Sequence, residues 1–230
     1  MITDIEILVA GDSDVPVHVS DGVHAFATGS NLSLGFLSIP SANLAFAARF
    51  SSVPIPRQAR IKSAVVRLEA ASTEAEVIVN ARIDGLLIAN SETPTHAEFD
   101  GGVVGATSHG RITNLRTRAQ VLWPGIAATT AGVDFDTPDL SLVAQEIISL
   151  PEWVEGSAMT FFIGDEDQES DQVGSHFRTA LRSGVGPRLI VSFAVSADPA
   201  IYEVSLGEVP QTLPRLTAKK LQEDTQAQVE

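Results

Sequence analysis

The densest run of chemistry-bearing side chains is Gly164-Asp-Glu-Asp-Gln-Glu-Ser-Asp171, where Asp165, Asp167, Glu169 and Asp171 fall at every second position. Carboxylates are the hard oxygen ligands that calcium gathers in sets of roughly six to eight, so this run is the candidate metal site and calcium the implied ion. The first three acids imitate the opening of an EF-hand loop. The glycine that such a loop needs at its sixth position is missing, and His176 stands at the twelfth in place of a bidentate glutamate. A solvated loop at the end of a strand is the competing reading. Asp12 and Asp14 would join the site only if the fold carries the N-terminal loop alongside.

Other constellations are thinner. Histidines at 18, 24, 96, 109 and 176 form no HExxH motif and no close pair; His18 and His24 would share one face of an extended strand. With no cysteine in the chain, thiol catalysis, disulfides and Cys-ligated metals are excluded. Ser108 sits beside His109, but a catalytic triad is a spatial arrangement that sequence neighbours do not make, and no GxSxG elbow, Walker loop or GxGxxG fingerprint occurs. Trp123 and Trp153 could stack on sugar rings. Their settings, at a strand end beside Pro124 and just after Pro151, read instead as framework. Arg111, Arg116 and Arg118 fall in one candidate strand, with Arg116 and Arg118 on a common face suited to pairing with acids. No enzyme is expected.

Charge narrows the partners. Fifteen basic residues against 29 acidic ones give a formal charge of −14, which repels phosphate and argues against nucleic acid and anionic membranes. Apolar stretches such as Leu189–Val195 fall far short of the roughly 20 residues that span a bilayer, so no membrane insertion is expected. The opening Met1-Ile-Thr-Asp-Ile-Glu carries acids where a secretory leader needs a basic stretch, so synthesis in the cytoplasm without a signal peptide is expected.

The elements that would position these groups are mostly strands. Ala64, Val66, Leu68 and Ala70 alternate with Arg67 and Glu69, the period-two pattern of a half-buried strand. Val77, Val79, Ala81 and Ile83 repeat it and run into Asp84-Gly85, a dipeptide that predicts a tight hairpin turn before Leu86-Leu-Ile88. Leu189, Val191, Phe193 and Val195 alternate with Ile190, Ser192 and Ala194 in a strand apolar enough to be buried on both faces. Asn31–Leu34, Leu44–Phe50 and Ile112–Leu122 read as further strands. One helix stands out: Thr137-Pro-Asp139 supplies an N-cap, a proline at the first helical position and an acid in the first turn. Leu140, Val143, Ala144, Ile147 and Ile148 then form a helical stripe that Pro151 stops. Many short strands with one crossover helix predict an all-β, jelly-roll-like sandwich over residues 1–196. Residues 197–230 change character, with prolines at 199, 210 and 214 and spaced apolar residues. This segment reads as an extended arm with a terminal helix, docking on a neighbour through Ile201, Tyr202, Val204, Leu206, Leu213 and Leu216.

A family likeness enters through an ordered series of short motifs. Asn31-Leu-Ser-Leu-Gly35, the run Phe46–Ala64 with its Arg49-Phe-Ser-Ser-Val-Pro-Ile-Pro56 centre, Val121-Leu-Trp-Pro124, Thr137-Pro-Asp-Leu140, Pro151-Glu-Trp153 and Gly186-Pro-Arg-Leu189 lie in this order. Over roughly residues 10–195 the chain resembles a β-sandwich module found as an accessory domain of secreted bacterial multidomain proteins and in structural proteins of tailed bacteriophages. It departs from that module at Arg57-Gln58, where a glycine-bearing turn is usual. The resemblance implies a non-catalytic sandwich. Combined with the expected arm and the missing leader, it suggests a virion protein, either an outer head decoration or a neck or tail appendage. Its partners would be other virion proteins and further copies of itself in a homo-oligomer. A carbohydrate-binding module for a host-surface glycan, with or without calcium, is the alternative class.

Overall fold

The computed structural model describes residues 2–11, 15, 17–20, 25–27, 31–38, 41–74, 78–94, 116–165, 175–182, 184 and 186–195. The chain divides into two units, Met1–Ser196 and Ala197–Glu230, and every described residue belongs to the first. The expected arm, with Ile201, Tyr202, Val204, Leu206, Leu213 and Leu216, lies outside the described residues.

The first unit is an all-β sandwich of two antiparallel sheets with one short helix. The smaller sheet runs β1 (Ile2–Leu8), β12 (Arg188–Ala194), β6 (Arg60–Glu69), β9 (Asp134–Asp136). The larger runs β11 (His176–Leu181), β4 (Asn31–Ser38), β5 (Ser41–Phe50), β10 (Met159–Gly164), β7 (Ala81–Gly85), β8 (Val121–Trp123), with β2 (Val17–Ser20) and β3 (Ala25–Ala27) joining at β5. The helix α1 (Ser141–Ile148) packs on β6 and β7. Among the described residues, no helix is long and apolar enough to cross a membrane.

The core forms where the alternating faces meet. Ala64, Val66 and Leu68 of β6 and Leu189, Val191 and Phe193 of β12 face Leu32, Leu34, Phe46, Phe50, Phe161 and Ile83 of the larger sheet. Phe50 and Phe161 meet edge to face with centroids 6.2 Å apart, the geometry that ring quadrupoles prefer. The β6 alternation read from the sequence is thus the buried face of a central strand. β12 is fully buried on one face only: Leu189, Val191 and Phe193 are buried, whereas Ile190, Ser192 and Ala194 are half-exposed. β10 is the strand buried throughout, since Phe162 turns outward into a second cluster with Ala45, Ala47 and Leu86.

Two local expectations need correction. Asp84-Gly85 makes no turn; it continues β7, with Asp84 opposite Phe162 and Gly85 opposite Phe161. The glycine serves close packing, since a Cβ there would lie 2.6 Å from Ile147 Cδ1 of α1. The helix also starts later than expected, after Leu140, and carries neither a side-chain cap bond nor an acid in its first turn. The reason is competition from β6. Thr137 Oγ1 accepts the Val66 N–H at 3.0 Å, and Asp139 Oδ1 accepts the Ala64 N–H at 2.9 Å. The capping oxygens are therefore spent largely on the sheet, although Asp139 also accepts the Ser141 N–H and hydroxyl.

Asp139 makes the acid response of the fold predictable. Burial pushes its carboxyl up, but the N–H donors of Ala64 and Ser141 and the Ser141 hydroxyl outweigh this and hold it below its ordinary 3.8. A depressed carboxyl contributes stability above its unfolded pKa and loses it as pH falls through the folded value. Asp139→Ala leaves the N–H of fully buried Ala64 unpaired and should cost about 1–3 kcal/mol at pH 7. Denaturation midpoints followed below pH 4 should fall more steeply in the parent than in this variant. Parallel acid limbs would show that Asp139 carries no such linkage.

Candidate functional site

Every sheet ends in edge strands whose outward N–H and C=O groups are available to another chain unless something covers them. The described edges are treated unequally. Beyond β9 the free side of β6 is sealed by the segment leading into α1: Thr137 and Val66 exchange bonds, Leu140 N donates to Ala64 O, and Gln145 Oε1 accepts the Ile61 N–H at 2.9 Å. Asp136 grips Arg67 in a bidentate pair at 2.7 Å, which holds its carboxyl below the usual range.

The edge of β11 is sealed as well. Ala70 bridges Ala180, Ala71 N donates to Thr179 O, and Glu74 Oε2 accepts the Thr179 N–H at 3.1 Å. Glu74 Oε1 takes the hydroxyls of Thr179 and Ser72 at 2.6 and 2.7 Å, so one carboxylate closes the side of the sandwich. Arg178 pins the neighbouring loop: its fully buried guanidinium donates to the carbonyls of Ala127, Ile126 and Phe177. Burial pushes its pKa down, and the charge of Glu74 opposes that shift. The larger sheet has two further edges among the described residues, β8 and β3, the latter paired with β2 alone, and each is only three residues long.

β1 is different. Among the described residues it pairs with β12 alone, from Ile2 opposite Ala194 to Leu8 opposite Arg188, over seven residues. Its outer face consists of Ile2, Asp4, Glu6 and Leu8, all exposed, with Ile2 at 65% and Leu8 at 51%. Its inner face presents Thr3, Ile5 and Ile7; both isoleucines touch the core yet stay only partly buried, as expected of a strand at the end of its sheet among the described residues. Glu6 pairs with Arg188 at 3.7 Å, and Arg188 holds Asp134 more closely at 2.5 Å. β1 is the candidate interaction site.

Asp165 directly follows β10 and is fully buried, its N–H donating to Leu44 O. Asp167, Glu169 and Asp171 lie outside the described residues, as do Asp12, Asp14, His24, His96, Ser108, His109 and Arg111. Among the described residues no group of three or more His, Asp or Glu is placed to hold a metal. Trp153 is 1% exposed and Trp123 9%, the latter against Phe135 with centroids 6.1 Å apart, so both indoles belong to the framework. Arg116 and Arg118 do not share a strand face. The strand begins only at Val121; Arg118 is exposed, whereas Arg116 is buried against Asp84 at 2.7 Å and over the Phe162 ring at 3.3 Å.

β1 was missed in the sequence reading, although its signal was present. Thr3, Ile5 and Ile7 alternate with Asp4 and Glu6, the same period as in β6. No protein-family model matches the chain, and no curated protein matches it.

Proposed function

We propose that this chain is a non-enzymatic structural protein of a phage particle, an outer head decoration or a neck or tail appendage, that assembles with its neighbours through sheet edges and the segment 197–230. The observation that carries the assembly half of this reading is β1: a seven-residue edge with exposed Ile2 and Leu8, in a sandwich whose β6 and β11 edges are closed by dedicated side chains. Buried charge supports it too. Asp84, Arg116 and Arg178 are committed to bonds that hold strands and loops in place. The phage setting rests on the likeness of the motif series from Asn31 to Leu189.

Solution mass by light scattering tests it, comparing the full chain with one ending at Val195. An oligomer for the full chain and a smaller species for the shortened one is the expected result. Two folded monomers at concentrations up to those of a crowded assembly would overturn self-assembly.

A further inference from the structure

We infer that the edge of β1, which pairs with no strand beyond β12 among the described residues, takes an amphipathic, extended segment of a neighbouring protein, with apolar side chains on one face and two basic side chains on the other. This rests on the assembly reading above and names the partner chemistry of that same edge. Strand addition supplies main-chain hydrogen bonds at any open edge, and the side chains flanking that edge decide which strand is accepted. On the core side, Ile5 and Ile7 touch the buried cluster but remain partly exposed, so an added strand with apolar residues opposite them completes their burial. On the outer side, Asp4 and Glu6 stand two residues apart between exposed Ile2 and Leu8. Basic residues opposite those carboxylates gain a favourable cross-strand pair, while acids there are repelled.

The same geometry disfavours a second copy of β1 as the occupant. Antiparallel pairing about Ile5 matches Ile2 to the partner copy's Leu8, but it sets Asp4 directly against the partner copy's Glu6, twice over. Four carboxylates on one strip of sheet oppose the contact. Charged side chains at edges act as gatekeepers against indiscriminate pairing. Here they leave the edge open to a strand of opposite charge.

The test uses the full chain, isotopically labelled, titrated at low salt with the peptide TVKVRVT and with its acidic counterpart TVEVDVT. Chemical-shift changes and slowed amide exchange are expected within Ile2–Leu8 for the basic peptide, with an affinity preference of about tenfold or more over the acidic one. The double variant Asp4→Lys with Glu6→Lys gives up the 3.7 Å contact of Glu6 with Arg188, which keeps its closer partner Asp134, and should invert that preference; an unchanged amide spectrum outside β1 and its neighbours shows that the fold is kept. Equal response to both peptides, no response to either, or shifts confined to other strands would overturn the inference. Solution mass is read on the same samples. An oligomer whose β1 amides ignore the basic peptide and exchange freely overturns the named edge and leaves assembly standing. A monomer that binds the basic peptide at β1 supports the edge and removes self-association.

Discussion

Replacing Asp84 with alanine will cost about 3–5 kcal/mol of folding stability, the penalty for stranding a buried charge. Arg116 Nη1 donates to Asp84 Oδ1 at 2.7 Å, with the two side chains only 2% and 1% exposed. The guanidinium carbon lies 3.3 Å from the centroid of Phe162, whose ring face partly offsets the cost of removing the cation from water. Without the carboxylate, that cation loses the charged partner it holds at 2.7 Å inside a low-dielectric layer. A domain of this size commonly has about 5–15 kcal/mol in total, so the loss is a large share of it. The pair itself is a different matter. Desolvating two ions consumes much of their mutual attraction, so Asp84→Leu combined with Arg116→Met should recover most of the loss. Chemical denaturation of Asp84→Leu, Arg116→Met and the double variant closes the cycle. If Asp84→Ala lies within about 1 kcal/mol of the parent, the guanidinium is not held as a buried ion.

This pair also marks where sequence reading stops. β6 was legible because its message is local: Ala64, Val66 and Leu68 alternate with charged residues whatever strand lies beside them. The stripe Val143, Ala144, Ile147 and Ile148 was legible for the same reason, and all four are buried. Asp84-Gly85 was misread because a turn dipeptide and a strand end can share one sequence. What decides between them is Arg116, 32 residues on, together with the helix that needs the space above Gly85. Thr137 and Asp139 were recognised as cap-forming residues, yet their oxygens went to N–H groups of β6 some 71 and 75 residues away. The candidate site is the extreme case. That β1 is a strand was written in its alternation, but that it stands at a sheet edge among the described residues follows only from the strand order, which no local pattern carries.

Trp153→Ala should be comparably damaging, at about 3–5 kcal/mol, for a reason unrelated to charge. The indole is 1% exposed and lies in the main core cluster, and its Nε1 donates to Ile55 O at 2.9 Å. It stands where two connections between the sheets run together: residues 51–59 lead from β5 to β6, and residues 149–158 lead from α1 to β10. Val53 N donates to Ser157 O and Gly156 N to Val53 O, so the backbones are already tied, and the ring fills the space beneath them. Truncation therefore removes a large buried surface, opens a cavity and orphans a buried carbonyl together. Trp153→Phe separates these effects. It keeps most of the ring area but leaves Ile55 O unpaired, and should cost about 1–3 kcal/mol. Val154, next in sequence but 64% exposed, is the control, and Val154→Ala should stay within about 0.5 kcal/mol. Denaturant midpoints with unchanged slopes would give the ranking directly. If Trp153→Phe cost as much as Trp153→Ala, the hydrogen bond to Ile55, not the filled volume, would be what holds the two connections together.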